Sequence, residues 1–281
     1  LESVRRNPNP NNRLTLAIGG LAIQIRAANT LPWLRSDNLE SFQIAARRAD
    51  ITWTYLTVNP LPGSPRIKAL LHHAREHAER YAVEANAQAV TILDFKKKRA
   101  DIYISPEFAP EAASRRIGPA MLAPFLPGFE ACLLHASAVV RGGRTAVFLA
   151  PDEGGKTTAA LLSPEGAILS DDQVLVRRFP EGFRVAGTPW GLHFDAKLQA
   201  PLSGFYLLEK GRDFSLTPLS ARALVPYIWE EARDSLSILP TAQKKKAFTL
   251  ICAMAASVQA WKLSFAKGYI DWQAIDETLT G

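Results

Sequence analysis

The stretch Phe148-Leu149-Ala150-Pro151-Asp152-Glu153-Gly154-Gly155-Lys156-Thr157-Thr158 constrains this chain more than any other. Thr145-Ala146-Val147-Phe148-Leu149 is a continuous apolar run of the kind that forms a strand buried on both faces. Lys156 to Leu162 reads as a helix, and a Gly pair lies between the two. Strand, loop and helix in this order suit the phosphate-loop pattern G-x-x-x-x-G-K-[ST], with Gly155, Lys156 and Thr157 in place and Ala150 where the first Gly belongs. In such a loop, backbone N–H groups turn inward and the helix dipole favours negative charge. Asp152, Glu153, Gly154, Gly155, Lys156, Thr157 and Thr158 are therefore the expected nucleotide-binding residues. Lys156 is the type of residue that bridges β and γ oxygens, and Thr157 the type that puts a hydroxyl on Mg²⁺. Ala150 fits only if its φ is negative.

Two further features bear on the same chemistry. Ala167-Ile168-Leu169-Ser170 reads as a strand that ends on Asp171-Asp172, and acids at a strand's C-terminal end can reach the crevice of a loop like this one. Phosphoryl transfer to a hydroxyl needs a carboxylate for Mg²⁺ and a base for the acceptor, roles that Asp171 and Asp172 can divide. His135 lies in the preceding apolar run Leu133-Leu134-His135-Ala136-Ser137-Ala138-Val139-Val140, where beside two carboxylates it can tune the base.

The rest of the chain sets the frame. Its 281 residues are 47% hydrophobic and 21% charged, enough for one large domain or two modest ones. No apolar run is long enough for a bilayer, and the most hydrophobic, Phe248 to Val258, suits a buried helix. The first residues show no signal core and no initiating Met, so a leading piece is expected to be missing or replaced. Cys132 and Cys252 lie far apart in apolar surroundings and read as buried free thiols of a cytoplasmic protein. A net charge of +6 gently favours an anionic ligand or partner.

Along the chain, residues 5–13 form a polar lead-in. Leu14–Ile18 and Leu21–Ile25 flank Gly19-Gly20 as a hairpin, and Asp50–Val58 reads as a strand stopped by Pro60 and Pro62. Arg66 to Tyr81 holds helix formers, and Val90–Phe95 with Asp101–Ile104 makes a second hairpin with a basic tip at Lys96–Arg99. Pro106 to Pro127 reads as a connection containing a helix. Toward the end come a helix over Ala247–Ala256, a strand over Gln259–Phe265 and a closing helix over Trp272–Leu279. The expected organisation is a smaller strand-rich α+β domain over residues 1–127, suited to peptide recognition, and an α/β domain over 128–281.

With Leu134-His135-Ala136-Ser137-Ala138-Val139, Gly155-Lys156-Thr157-Thr158 and Leu169-Ser170-Asp171-Asp172 in this order, the chain resembles the HPr kinase/phosphorylase family. That resemblance covers about Leu133 to Ala186. It implies a P-loop kinase domain of the phosphoenolpyruvate-carboxykinase type, with ATP and Mg²⁺ as cofactors. It further implies that Lys156 holds phosphates, that Thr157 and Asp172 hold Mg²⁺, that Asp171 deprotonates the acceptor and that His135 supports the acid/base. The loop departs from the family's Gly-x-Ser-Gly-x-Gly-Lys-Ser type, and the family's Arg-Gly-Leu-Gly signature is absent. Gly187-Thr188-Pro189-Trp190 is instead similar to HPr-kinase-like proteins that act on ribosomal peptides, including lasso-peptide precursors. The expected acceptor is thus a serine hydroxyl of a peptide or small protein.

Two other patterns compete. His73-Ala74-Arg75-Glu76-His77 fits H-x-x-E-H, which gives a zinc metallopeptidase as an alternative function. A nucleotide-binding regulatory module without turnover is another, for which Ala150 argues. The basic runs Lys96-Lys97-Lys98-Arg99 and Lys244-Lys245-Lys246 lack interleaved aromatics, so nucleic acid is not the expected partner. Neither a membrane nor a particular oligomeric state is indicated.

Overall fold

A computed structural model describes residues 12–27, 37–45, 47–57, 64–85, 89–105, 118–164, 167–266 and 268–280. Most of the lead-in, Val58 to Pro62 and the Pro106–Pro110 end of the connection lie outside these residues. The architecture is mixed α/β, with two multistranded sheets. The chain divides into one unit of Leu1–Phe125 with Ser237–Lys244, and another of Leu126–Leu236 with Lys245–Gly281.

The first unit contains β1 (Arg13–Ile18), β2 (Leu21–Ala27), α1 (Asp37–Ser41), β3 (Ile51–Thr57), α2 (Pro65–Glu76), β4 (Tyr81–Ala85), β5 (Ala89–Asp94), β6 (Arg99–Ile104) and α3 (Gly118–Leu122). Its sheet has the order β1-β2-β3-β6-β5-β4. The β1–β2 turn closes on Ile18 opposite Leu21, with Gly19 and Gly20 both at positive φ, as a two-residue hairpin loop demands. The helix expected over Arg66 to Tyr81 ends at Glu76, and Tyr81 instead begins a strand paired with β5. Ile67 and Ala74, seven residues apart on one helix face, pack with Val90, Ile92 and Tyr103.

A 3₁₀ segment, Ala123–Phe129, leads to the second unit. There follow β7 (Ala131–His135), β8 (Ser137–Arg141), β9 (Arg144–Leu149), α4 (Lys156–Leu161), β10 (Ala167–Ser170), β11 (Gln173–Phe179) and β12 (Gly182–Gly187). Then come β13 (Gln199–Lys210), β14 (Ser215–Leu219), α5 (Ala221–Leu236), α6 (Thr241–Ser257), β15 (Gln259–Phe265) and α7 (Trp272–Thr280). The sheet runs β10-β8-β9-β13-β12-β11-β7, with β15 beside β13 and β14 beside β15. At its centre β9, β13 and β15 are parallel, so their carboxyl ends share one edge. Open α/β sheets bind ligands at that edge.

The apolar run 133–140 is two strands rather than one. It breaks at Ala136: β7 pairs with β11, whereas β8 pairs with β9 and β10. The facing stretch of the same chain breaks at this level, because β10 ends at Ser170 and β11 starts at Gln173. Asp171 and Asp172 occupy that break, and Gln173 lies directly opposite His135. Paired strand changes thus bring the acid pair and the histidine together.

The core beneath is aromatic. Phe148 of β9 meets Tyr206 of β13 at 5.5 Å between ring centroids and Trp272 of α7 edge-on at 5.9 Å. Ala150, Ala159 and Ala160 belong to the same cluster, which seats α4 close to the sheet. Arg141 fastens α7 by a two-point pair with Asp276 at 2.7 and 2.6 Å. Among the described residues no helix is long and apolar enough to cross a membrane. The helix over Phe248 is only partly buried, with Phe248 itself exposed. Both cysteines are free thiols; Cys132 is buried, which pushes its thiol up to about 12, while Cys252 is half-buried rather than fully enclosed.

Candidate functional site

The loop after β9 folds for identifiable reasons. Positive φ falls on Glu153 (+58°) and Gly155 (+98°), and Ala150 is not among the positive-φ residues, so an L side chain is unstrained there. The two glycines are required differently. Gly155 supplies a left-handed backbone as the N-cap of α4. Gly154 supplies space: a Cβ there would come within 2.5 Å of the Ala150 Cβ and 2.7 Å of the Pro151 carbonyl oxygen. The Gly154 N–H donates to that same carbonyl at 2.9 Å.

Lys156 opens α4 with its side chain buried inside the turn. Its Nζ donates to the carbonyl oxygens of Ala150 at 2.6 Å and Pro151 at 3.3 Å. Buried Ser137 Oγ donates to the Lys156 carbonyl at 2.7 Å, tying the start of α4 to β8. Thr157 Oγ1 donates to the Asp171 carbonyl at 3.2 Å, which ties it to the acid pair. Asp152, Glu153, Thr157 and Thr158 are exposed, and no side chain caps the helix.

The two adjacent acids differ. Asp171 is 3% exposed, and its Oδ1 accepts the N–H groups of Leu192 (2.9 Å) and His193 (3.1 Å). It is locked into the fold. Asp171, the residue expected as the base, is thus buried, with one carboxylate oxygen taken by backbone donors. Asp172 is the acid that faces the cavity, 45% exposed, with Oδ1 at 3.2 Å from His135 Nε2. The Gly187-Thr188-Pro189-Trp190 run is buried and supports this arrangement. Thr188 Oγ1 donates to the Gln173 carbonyl at 2.8 Å, and a Cβ on Gly187 would strike the Leu169 carbonyl oxygen.

His135 collects more partners than sequence reasoning found. Its Nδ1 lies 3.6 Å from Asp152 Oδ1 and 3.6 Å from Glu231 Oε2. The hydrogen bond to Asp172 raises its pKa above the ordinary value, against opposing effects of burial and the Lys156 charge. Glu231 comes from α5, is 12% exposed, and has its carboxyl pKa raised mainly by burial. No motif marks Glu231; α5 carries Pro226 in its interior and was not legible as a helix. These residues line a cavity of about 600 Å³ with Leu133, Pro151, Gln173, Leu207 and Tyr227. Gln173 Oε1 is buried without a hydrogen-bond partner among the described residues, an acceptor on the wall of that cavity.

In the first unit, His73, Glu76 and His77 are all exposed, with one donor atom each within 4.8 Å of the others. A cavity of about 480 Å³ in that unit is lined by Ala74, Arg75, Tyr81 and Leu239, among others, but by none of the three. No protein-family model and no curated protein sequence matches this chain.

Proposed function

We propose that the second unit is a P-loop kinase domain of the HPr kinase/phosphoenolpyruvate-carboxykinase type, which uses ATP and Mg²⁺ to phosphorylate a serine hydroxyl of a peptide or small protein. The observation that carries this reading is the meeting of His135, Asp152 of the loop and Asp172 around one cavity, with the Lys156 charge near enough to act on both His135 and Glu231. The fit to a nucleotide rests on the loop itself. Gly154 is a position that any Cβ would fill, Gly155 turns the chain, and Lys156 is a buried ammonium whose Nζ donates to the backbone carbonyls of Ala150 and Pro151.

ATP would supply the phosphoryl group; Lys156 and the backbone of Gly154 to Thr158 would hold its phosphates, and Thr157 and Asp172 would hold Mg²⁺. The chain's own groups then divide the remaining work. Asp172, with His135 on its Oδ1, is the carboxylate that takes the acceptor proton. His135, flanked by Asp172, Asp152 and Glu231, has its pKa raised chiefly by the bond to Asp172 and orients that carboxylate. Asp171 is a positioning residue, since its backbone carbonyl holds Thr157 and its side chain holds the segment at Leu192 and His193.

The reading is supported by the negative φ of Ala150, which makes its side chain sterically acceptable in the loop, and by His73, Glu76 and His77 being exposed and absent from the lining of the cavity of about 480 Å³. The deciding experiment incubates the full chain with γ-labelled ATP, Mg²⁺ and short serine-containing peptides encoded beside its gene. Label on a peptide serine is the expected result. Nucleotide binding with no labelled product from any of them reduces the protein to a binding module, and no nucleotide binding at all ends the proposal.

A further inference from the structure

Independently of the phosphotransferase reading, we infer that the C-terminal turn of α2 is a binding site for a divalent ion of the zinc type, held by His73, Glu76 and His77. Three donors, two imidazoles and one carboxylate, already lie within 4.8 Å of one another. Zinc bonds of 2.0–2.1 Å at a tetrahedral angle place ligand atoms ~3.3 Å apart. The observed separations exceed that spacing by no more than about 1.5 Å, and the side chains are exposed.

A second observation shows that the site is prepared. His77 Nδ1 lies 2.9 Å from the His73 carbonyl oxygen. A carbonyl can only accept, so Nδ1 carries the hydrogen, and in the neutral ring the lone pair lies on Nε2. Metal-bound histidines have this arrangement, with one ring nitrogen donating to a carbonyl so that the other is fixed as the ligand. The two imidazole rings sit 4.5 Å apart, and His73 is itself flanked by the Tyr81 ring at 5.6 Å. The helix ends here, with His77 as its C-cap, so the negative end of the backbone dipole adds to the Glu76 charge in favour of a cation.

The donor set chooses the ion. Two imidazoles with one carboxylate suit Zn²⁺, Cu²⁺ or Ni²⁺, whereas Mg²⁺ and Ca²⁺ prefer all-oxygen shells. Glu76 acts as a ligand rather than a base here, so the inference is of binding and not of hydrolysis. His72 is the competitor: its Nε2 lies 3.2 Å from Glu76 Oε1. Binding would clamp the last turn of α2 to the first residue beyond it, at the head of the 77–80 turn whose Arg80 is held by Asp94 at 2.7 and 3.1 Å.

The test titrates Zn²⁺ alone into the chelator-stripped full chain, in competition with a chromophoric chelator. The expected result is one site of micromolar affinity, weakened roughly tenfold or more in both His73→Ala and His77→Ala. His77→Gln, which keeps a donor for the carbonyl but loses the imidazole lone pair, behaves like His77→Ala. His72→Ala binds as well as the wild type or more tightly. All these side chains are exposed, and far-UV circular dichroism confirms that each variant keeps its fold. Absence of Zn²⁺ binding at these concentrations overturns the inference. So does a His73→Ala/His77→Ala double variant that binds like the wild type.

Discussion

The surroundings of His135 and of His77 illustrate two ways of building a polar cluster. Around His135 the partners arrive from β7, the loop after β9, the break between β10 and β11, and α5, and they share a cavity. Around His77 the donor groups all come from the C-terminal turn of α2 and its cap, and all are exposed. The first cluster exists only when the sheet has formed, so it is held in one geometry and its charges act on one another. The second needs only a local helix, and its geometry is adjustable. A catalytic arrangement needs the first kind of rigidity, while a metal can draw the second into shape.

The contrast breaks most sharply at Asp172. Asp172→Asn is expected to lower phosphoryl transfer by about 10³-fold. Affinity for the Mg²⁺-free nucleotide should change little, because only the ion contact is lost with the base. Equal losses of Mg²⁺-free nucleotide binding and turnover would count against a base at this position. Next in size, Asp171→Ala should destabilise the protein by about 2 kcal/mol, because two backbone N–H groups lose a buried acceptor. Thermal unfolding measures this, and an unchanged midpoint would show that Asp171 is not the structural member of the pair.

The charge on His135 gives a smaller and more specific reading. Its pKa should be found above the ordinary 6.5 by NMR titration and should fall in Asp172→Asn, which removes the main raising cause. A histidine with a raised folded-state pKa adds stability fully below its unfolded value and loses it as pH climbs through the folded one. The stability gap between wild type and His135→Asn should therefore be widest below about pH 6 and close on the alkaline side. Smallest is Glu231→Gln. Burial raises the Glu231 carboxyl pKa, so its ionised form opposes folding once pH exceeds that value. The amide should raise the unfolding midpoint at pH 8 by about 2 °C, and a fall would mean that the pairing with His135 outweighs burial.

What could be read from the sequence follows the same division between local and assembled. The β9 strand, the Gly154-Gly155-Lys156-Thr157 turn, the Gly19-Gly20 hairpin and the terminal β15–α7 pair carry their signals within a few residues, as apolar runs, φ requirements and breaks. The acid pair was legible as a pair, but which acid opens to the cavity depends on where Leu192 and His193 place their N–H groups, some twenty residues on. Glu231 gives no local signal, and its meaning comes wholly from α5 packing. Likewise the break at Ala136 is invisible in an unbroken apolar run, since only the change of strand partner creates it. The grouping of Ser237–Lys244 with the first unit is a long-range effect of the same sort.

The contact between Ala150 and Gly154 has a consequence for anyone redesigning this loop. Restoring glycine at 150, to match the usual pattern, would remove one obstacle to a side chain at 154, the methyl group 2.5 Å away. The other obstacle, the Pro151 carbonyl oxygen at 2.7 Å, belongs to the main chain and stays whatever residue stands at 150. The two positions therefore cannot trade residues: position 150 holds a small, fully buried side chain in the core, while position 154 is kept free of one by the path of the backbone. A search that weights the first glycine of the pattern most heavily would pass over loops of this kind.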